Sequence, residues 1–104
     1  MVNLDKQKII FTLQNNKGKI KQFGVKRIGL FGSYVRNQQN EDSDIDIYIE
    51  FFDDMENFDN FINFCFLLDD LFKNKKVEVV TENGLSKYIG PQILKEVEYV
   101  KITN

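Results

Sequence analysis

The stretch Ser43 to Phe52, SDIDIYIEFF, constrains this chain more than any other. It alternates apolar and polar residues, as a strand does when only one face is buried. Ile45, Ile47, Ile49 and Phe51 fall on one face. Asp44, Asp46, Tyr48 and Glu50 fall on the other. The first two carboxylates then stand side by side, with Cα atoms roughly 7 Å apart by strand rise. Like charges so placed repel, and a strand gains nothing from the pairing. A divalent cation between them removes that cost. The stretch therefore reads as a metal site at the head of a strand whose other face belongs to a core.

The residues before it fit the same reading. Val25 to Phe31 reads as a strand with Ile28 and Leu30 on one face, and it runs directly into Gly32-Ser33. A strand, a Gly-Ser turn and a following short helix would offer backbone N–H groups and a hydroxyl to an anion. Arg36, about one turn further on, can reach that anion. A Gly-Ser pair alone is most often only a turn. It gains weight here from the acidic strand beyond the polar loop Asn37 to Asp42.

Composition excludes several classes. The chain has 104 residues, 42% of them hydrophobic, including ten phenylalanines. That predicts one domain, residues 1–104, with one core. The net charge of −2 argues against a protein that coats nucleic acid, because phosphate backbones are gripped by excess Lys and Arg. One cysteine allows no intrachain disulfide, which suits a reducing compartment. There is no histidine, so a Ser-His-Asp triad and histidine-ligated zinc are out of reach. MVNLDKQKII is neither a signal peptide nor a membrane span, and no other run is long enough to cross a bilayer. The expected location is the cytoplasm.

Elsewhere the pattern predicts helices around the strands. Asn3 or Asp5 can cap a first helix with Ile9, Ile10 and Leu13 inward, and a further turn runs from Lys17 to Phe23 until Gly24 stops it. The basic cluster Lys17, Lys19, Lys21, Lys26 and Arg27 reads as a solvated face. Asn57 or Asp59 starts a helix whose stripe is Phe58, Ile62, Cys65, Leu68 and Phe72, widened by Phe61, Phe64 and Leu71. Cys65 lies inside that stripe as a small apolar residue. Lys76 to Thr81 is a strand with Val77 and Val79 on one face and Glu78 and Val80 on the other. If it lies in register beside the acidic strand, Glu78 comes up next to Asp44 and Asp46. Leu85 to Tyr88 reads as a short helical turn. Pro91 opens a last amphipathic helix carrying Ile93, Leu94, Val97 and Val100.

Competing motifs fail on physical grounds. Asp42, Asp44 and Asp46 have calcium-loop spacing, but Ile47 stands where the loop needs glycine, and the isoleucines need burial. Gly29-Leu30-Phe31-Gly32 is too apolar for an RNA-clamping loop. No Walker A or G-x-G-x-x-G pattern is present.

Leu30-Phe31-Gly32-Ser33-Tyr34-Val35-Arg36, a spacer, then Ser43-Asp44-Ile45-Asp46-Ile47 resembles the signature of the minimal nucleotidyltransferases of the polymerase-β-like superfamily. The resemblance covers essentially the whole chain. It implies an α/β (α+β) domain, a small mixed β-sheet packed by helices in a palm-type fold. It implies that Gly32, Ser33, Arg36 and Ser43 bind a nucleoside triphosphate, ATP. It implies that Asp44, Asp46 and Glu78 hold two Mg²⁺ ions, with Glu78 as the third carboxylate that takes or orients the attacking hydroxyl's proton. Three residues depart from the pattern: Glu78 where the family usually has aspartate, Asn37 where glycine usually follows the arginine, and, more mildly, Val35 for alanine. Small standalone domains of this kind are often antitoxins that move AMP onto a tyrosine of a helical HEPN ribonuclease toxin. No direct nucleic-acid or membrane partner is implied, and the domain is short enough that a partner or a second copy would complete the acceptor site.

Three functions of different class follow. The first is transfer onto a protein toxin. The second is a binding antitoxin that silences its partner by contact, using the aromatic surface around Phe58, Phe61, Phe64 and Phe66. The third, and the weakest, is transfer onto a small-molecule hydroxyl with a helper subunit.

Overall fold

A computed structural model describes residues 4–84 and 90–102. In chain order the elements are α1 (Lys6–Asn15), α2 (Lys17–Gln22), β1 (Val25–Phe31), β2 (Ile45–Phe51), α3 (Phe58–Leu71), β3 (Val77–Thr81), α4 (Gly90–Glu96) and β4 (Glu98–Val100). The strands form one mixed sheet in the order β3-β2-β1-β4. β1 pairs antiparallel with both β2 and β4, while β2 and β3 run parallel and are joined through α3. The α/β class and the mixed sheet are those expected from the sequence.

The caps are local and specific. The Asp5 carboxylate accepts from the Lys8 N–H at 2.9 Å, and the Asn57 side chain accepts from the Asn60 N–H at 2.8 Å. Each satisfies a donor that the first helical turn leaves open. Asn3 and the predicted turn Leu85 to Tyr88 lie outside the described residues. Gly24 ends α2 at φ 85°, a conformation that costs glycine little.

One face of the sheet is the core. Ile28, Leu30, Ile45, Ile47, Ile49 and Val100 meet Ile9, Leu13, Ile20, Phe64 and Leu68 of the helices. A bulge between Val25 and Arg27 lets Val25 and Ile28, three residues apart, both turn inward. Core packing centres α3 on Phe64 and Leu68. Phe58, assigned to the inner stripe from its spacing, is 73% exposed, and Phe66 is 62% exposed. Phe64 is fully buried, so it cannot belong to a surface patch.

Three further boundaries differ from the sequence reading. β2 begins at Ile45, so Ser43 and Asp44 precede the strand, and Phe52 follows it. The segment after Gly32 is a hydrogen-bonded turn and not a helix: the Val35 and Arg36 N–H groups donate to the Gly32 carbonyl and the chain then leaves through Asn37. The last helix stops at Glu96. Val100, read as its continuation, pairs with Ile28 in β4. Val100 gains more by joining an apolar sheet edge than by extending a short helix into water.

On the other face, Arg27 lies opposite Glu50 and Gly29 lies between Tyr48 and Tyr99. With no side chain at Gly29, the two tyrosine rings meet edge to face, centroids 6.3 Å apart. Arg27 donates to both Glu50 oxygens, at 3.1 and 2.7 Å, and its guanidinium lies 4.2 Å from the centre of the Tyr99 ring. The Tyr48 hydroxyl adds a third donor to Glu50 at 2.9 Å. Glu50 is 5% exposed. The Arg27 hydrogen bonds hold its carboxyl below the usual range, outweighing burial, which pushes it up. Arg27 is exposed like Lys17, Lys19, Lys21 and Lys26 of the basic cluster, and it also holds Glu50. Arg27→Ala should lower stability by about 2 kcal/mol at neutral pH, because it strands a buried carboxylate. In urea titrations the loss should shrink as pH falls through and below the ordinary carboxylate range, where Glu50 takes up a proton. A loss unchanged with pH would contradict this account.

Candidate active site

The acidic end of β2 is built by its two neighbours. Asp46 is opposite Phe31 on β1 and opposite Glu78 on β3. The parallel pairing starts one step earlier, where the Ile45 N–H donates to the Lys76 carbonyl at 2.9 Å. The register the sequence left open thus sets Glu78 directly beside Asp46. Asp44 lies just ahead of the strand and is half-buried. Among the described residues, however, no three acidic side chains already converge as a metal cage. Glu78 is turned onto Lys76, with Nζ and Oε1 3.3 Å apart.

The Asp46 carboxyl is pushed up to about 6. Burial is the first cause, then the charges of Glu78 and Asp44; Arg36 pulls the other way. Three acidic groups are thus held near one another with incomplete compensation. A strand with freely solvated carboxylates would not show this.

The turn beyond β1 sits on that cluster. Gly32 has φ 82°, and a Cβ placed on it would collide with the Asp46 carboxylate. Glycine is required here for both reasons. Tyr34, 2% exposed, anchors the turn in the core. Asn37, in place of the expected glycine, adopts φ 58°, a left-handed conformation that asparagine tolerates better than most residues. Ser33 is half-buried within the turn. The Arg36 Nε donates to Gln38 Oε1 at 3.0 Å.

Ser43 has a local partner: its hydroxyl accepts from the Asn40 N–H at 2.9 Å. Lys75 Nζ donates to the Glu41 carbonyl at 2.7 Å. Together these hold the loop between β1 and β2 against the start of β3. Cys65 lies half-buried in α3, away from these residues, and burial pushes its thiol up.

One residue at this site escaped the sequence reading. Glu96, the last residue of α4, accepts from the Gly32 N–H at 2.7 Å and from the Arg36 guanidinium. It is far from the motif in sequence, and its surroundings are apolar and basic like those of any helix end. The strand pairing of Glu98–Val100 with β1 brings it over the turn.

This geometry is a backbone N–H and a guanidinium beside a group of carboxylates, with Ser33 in the same turn. It can hold an anion beside hard oxygen ligands. The chain is similar to known proteins over most of its length. Protein adenylyltransferase MntA of Thermococcus cleftensis is 35% identical over 96% of this chain and 98% of its own length. A solved minimal nucleotidyltransferase superposes with a TM-score of 0.71 at 24% identity, over 94% of this chain and 98% of that one. A toxin–antitoxin complex solved with AMP-PNP gives a TM-score of 0.65 at 26% identity, over 97% of this chain and 76% of that one. The family description Polymerase beta, Nucleotidyltransferase matches residues 7–104, and the chain belongs to this nucleotidyltransferase family.

Proposed function

We propose that this chain is a Mg²⁺-dependent nucleotidyltransferase antitoxin of the cytoplasm, transferring AMP from ATP to a tyrosine of a HEPN ribonuclease toxin and so silencing it. The observation that carries this reading is the parallel register of Asp46 with Glu78, under a glycine turn packed on Asp46. The likeness to a protein adenylyltransferase over nearly the full length of both chains supports it.

The donor set suits Mg²⁺. Asp44, Asp46 and Glu78 offer hard carboxylate oxygens, and Asp46 carries strain between like charges that a cation would relieve. Metal ions bound there would neutralise charge on the transferring phosphoryl group and align the attacking and leaving oxygens. The chain's own residues do the rest. The Gly32 N–H, the Ser33 hydroxyl and Arg36 grip the triphosphate. Ser43 keeps the neighbouring loop folded beside it. Glu78 takes the proton of the tyrosine hydroxyl as its oxygen bonds to the α-phosphorus. The bond from that phosphorus to the bridging oxygen breaks, and pyrophosphate leaves. Positioning and charge supply most of such catalysis, which needs no histidine.

A second reading, silencing by contact alone, is favoured by one observation: Glu78 is already paired with Lys76. The exposed Phe58 and Phe66 would then serve as contacts. The intact mass of the co-expressed partner separates the two. Wild type should add one or more AMP units and the Asp44→Asn, Asp46→Asn double variant none. A silenced but unmodified partner with both proteins would leave contact as the mechanism.

Asp46→Asn should also stabilise the metal-free protein by an amount on the order of 1 kcal/mol at pH 7, discounted for the solvent that screens a half-buried group. The gain should begin to shrink as pH falls below about 6, where the native Asp46 takes up its proton, and should be gone only below the ordinary carboxylate range, where the unfolded chain is protonated as well. Mg²⁺ should raise the melting temperature of wild type and not of this variant. Equal Mg²⁺ shifts in both would remove Asp46 from the metal site.

A further inference from the structure

The anion site at the glycine turn already holds an anion, supplied by the chain itself. One oxygen of Glu96 takes the Gly32 N–H at 2.7 Å and the other takes the Arg36 guanidinium. The Glu96 side chain is 23% exposed, so it is seated in the site and not merely adjacent to it. A carboxylate bridging a backbone N–H and an arginine uses the same donors that a phosphate would use. Burial pushes the Glu96 carboxyl up, but the Gly32 N–H and Arg36 outweigh it and hold the group ionised.

We propose that Glu96 is a latch: it occupies the phosphate subsite in the nucleotide-free protein and must be displaced before a triphosphate can engage Gly32 and Arg36. This rests on the reading of that turn as the triphosphate site. Two features separate a latch from a strut that builds the site. The donors have other supports. Arg36 is held from its other side by Gln38 at 3.0 Å, and the turn is closed by the Val35 and Arg36 N–H groups on the Gly32 carbonyl. Tyr34 anchors the turn in the core without help from Glu96. Glu96 also ends a short helix whose Gln92, Leu94 and Lys95 face solvent. Moving its side chain away breaks two hydrogen bonds and disrupts little packing. Its charge also adds to those that push the Asp46 carboxyl up, so its departure relieves the carboxylate cluster as the nucleotide arrives.

A latch lowers apparent affinity by the fraction of molecules in which it is open. The test is calorimetric titration of the full chain with inorganic tripolyphosphate and with a non-hydrolysable ATP analogue, each with Mg²⁺. Glu96→Gln keeps the size and removes the charge; it should bind both probes about tenfold tighter than wild type. Glu96→Asp, one methylene shorter, cannot span both donors and should fall between the two. Cooperative melting of each variant checks that it is folded. Adding Arg36→Ala to Glu96→Gln should abolish the gain. Wild-type binding with equal or weaker binding by the folded Glu96 variants would overturn the latch and leave the triphosphate site standing. Binding by Glu96→Gln with none by wild type would support a tighter latch. No binding by any of the proteins would overturn the latch together with the reading of the turn.

Discussion

β2 is hydrogen-bonded on both sides, and its alternation serves two purposes that cannot be separated. Ile45, Ile47 and Ile49 are fully buried on one face, while Asp46, Tyr48 and Glu50 stand on the other. A slip of one residue would exchange the two sets and put carboxylates into the core. Burial of the isoleucines therefore aims the carboxylates. The rest of the sheet depends on that registration: β3 brings Glu78 to Asp46, and β1 brings the glycine turn over it.

Two carboxylates on the same face of this strand have opposite fates, and their neighbours decide which. Glu50 is the more buried, yet Arg27 and Tyr48 satisfy it with three hydrogen bonds and its pKa falls. Asp46 has Phe31 on one side and Glu78 on the other, and its pKa rises. The first is a fastener that closes the far end of the sheet. The second holds unrelieved charge, which is what a site for a cation and a transferring phosphoryl group requires. Residue type alone does not distinguish them; cross-strand partners do.

Much of this was legible in the chain. The extent of β1, the inward set of β2, the caps at Asp5 and Asn57 and the stop at Gly24 all follow from local chemistry. The Gly-Ser, Arg and D-x-D spacing pointed to the site because each part needs the others nearby. What sequence could not supply was pairing between distant segments. β4 is three residues long, and its Val100 continues a helical spacing from Ile93 and Val97, so pairing with β1 overrode the local pattern. The outward turn of Phe58 depends on how α3 rolls over the sheet, which its spacing does not set. The Arg27–Glu50 pair and the seating of Glu96 join residues far apart in the chain, and no local rule announces either.

We propose that the acidic end of β2, with Glu78 beside it, holds divalent metal under a triphosphate gripped by the glycine turn. The most direct measurement is anomalous diffraction from crystals grown with Mn²⁺ and a non-hydrolysable ATP analogue. The account expects metal peaks within ligand distance of the Asp44 and Asp46 carboxylates, with the phosphates between them and Gly32–Arg36. Metal bound elsewhere, or a nucleotide seated away from that turn, would contradict it.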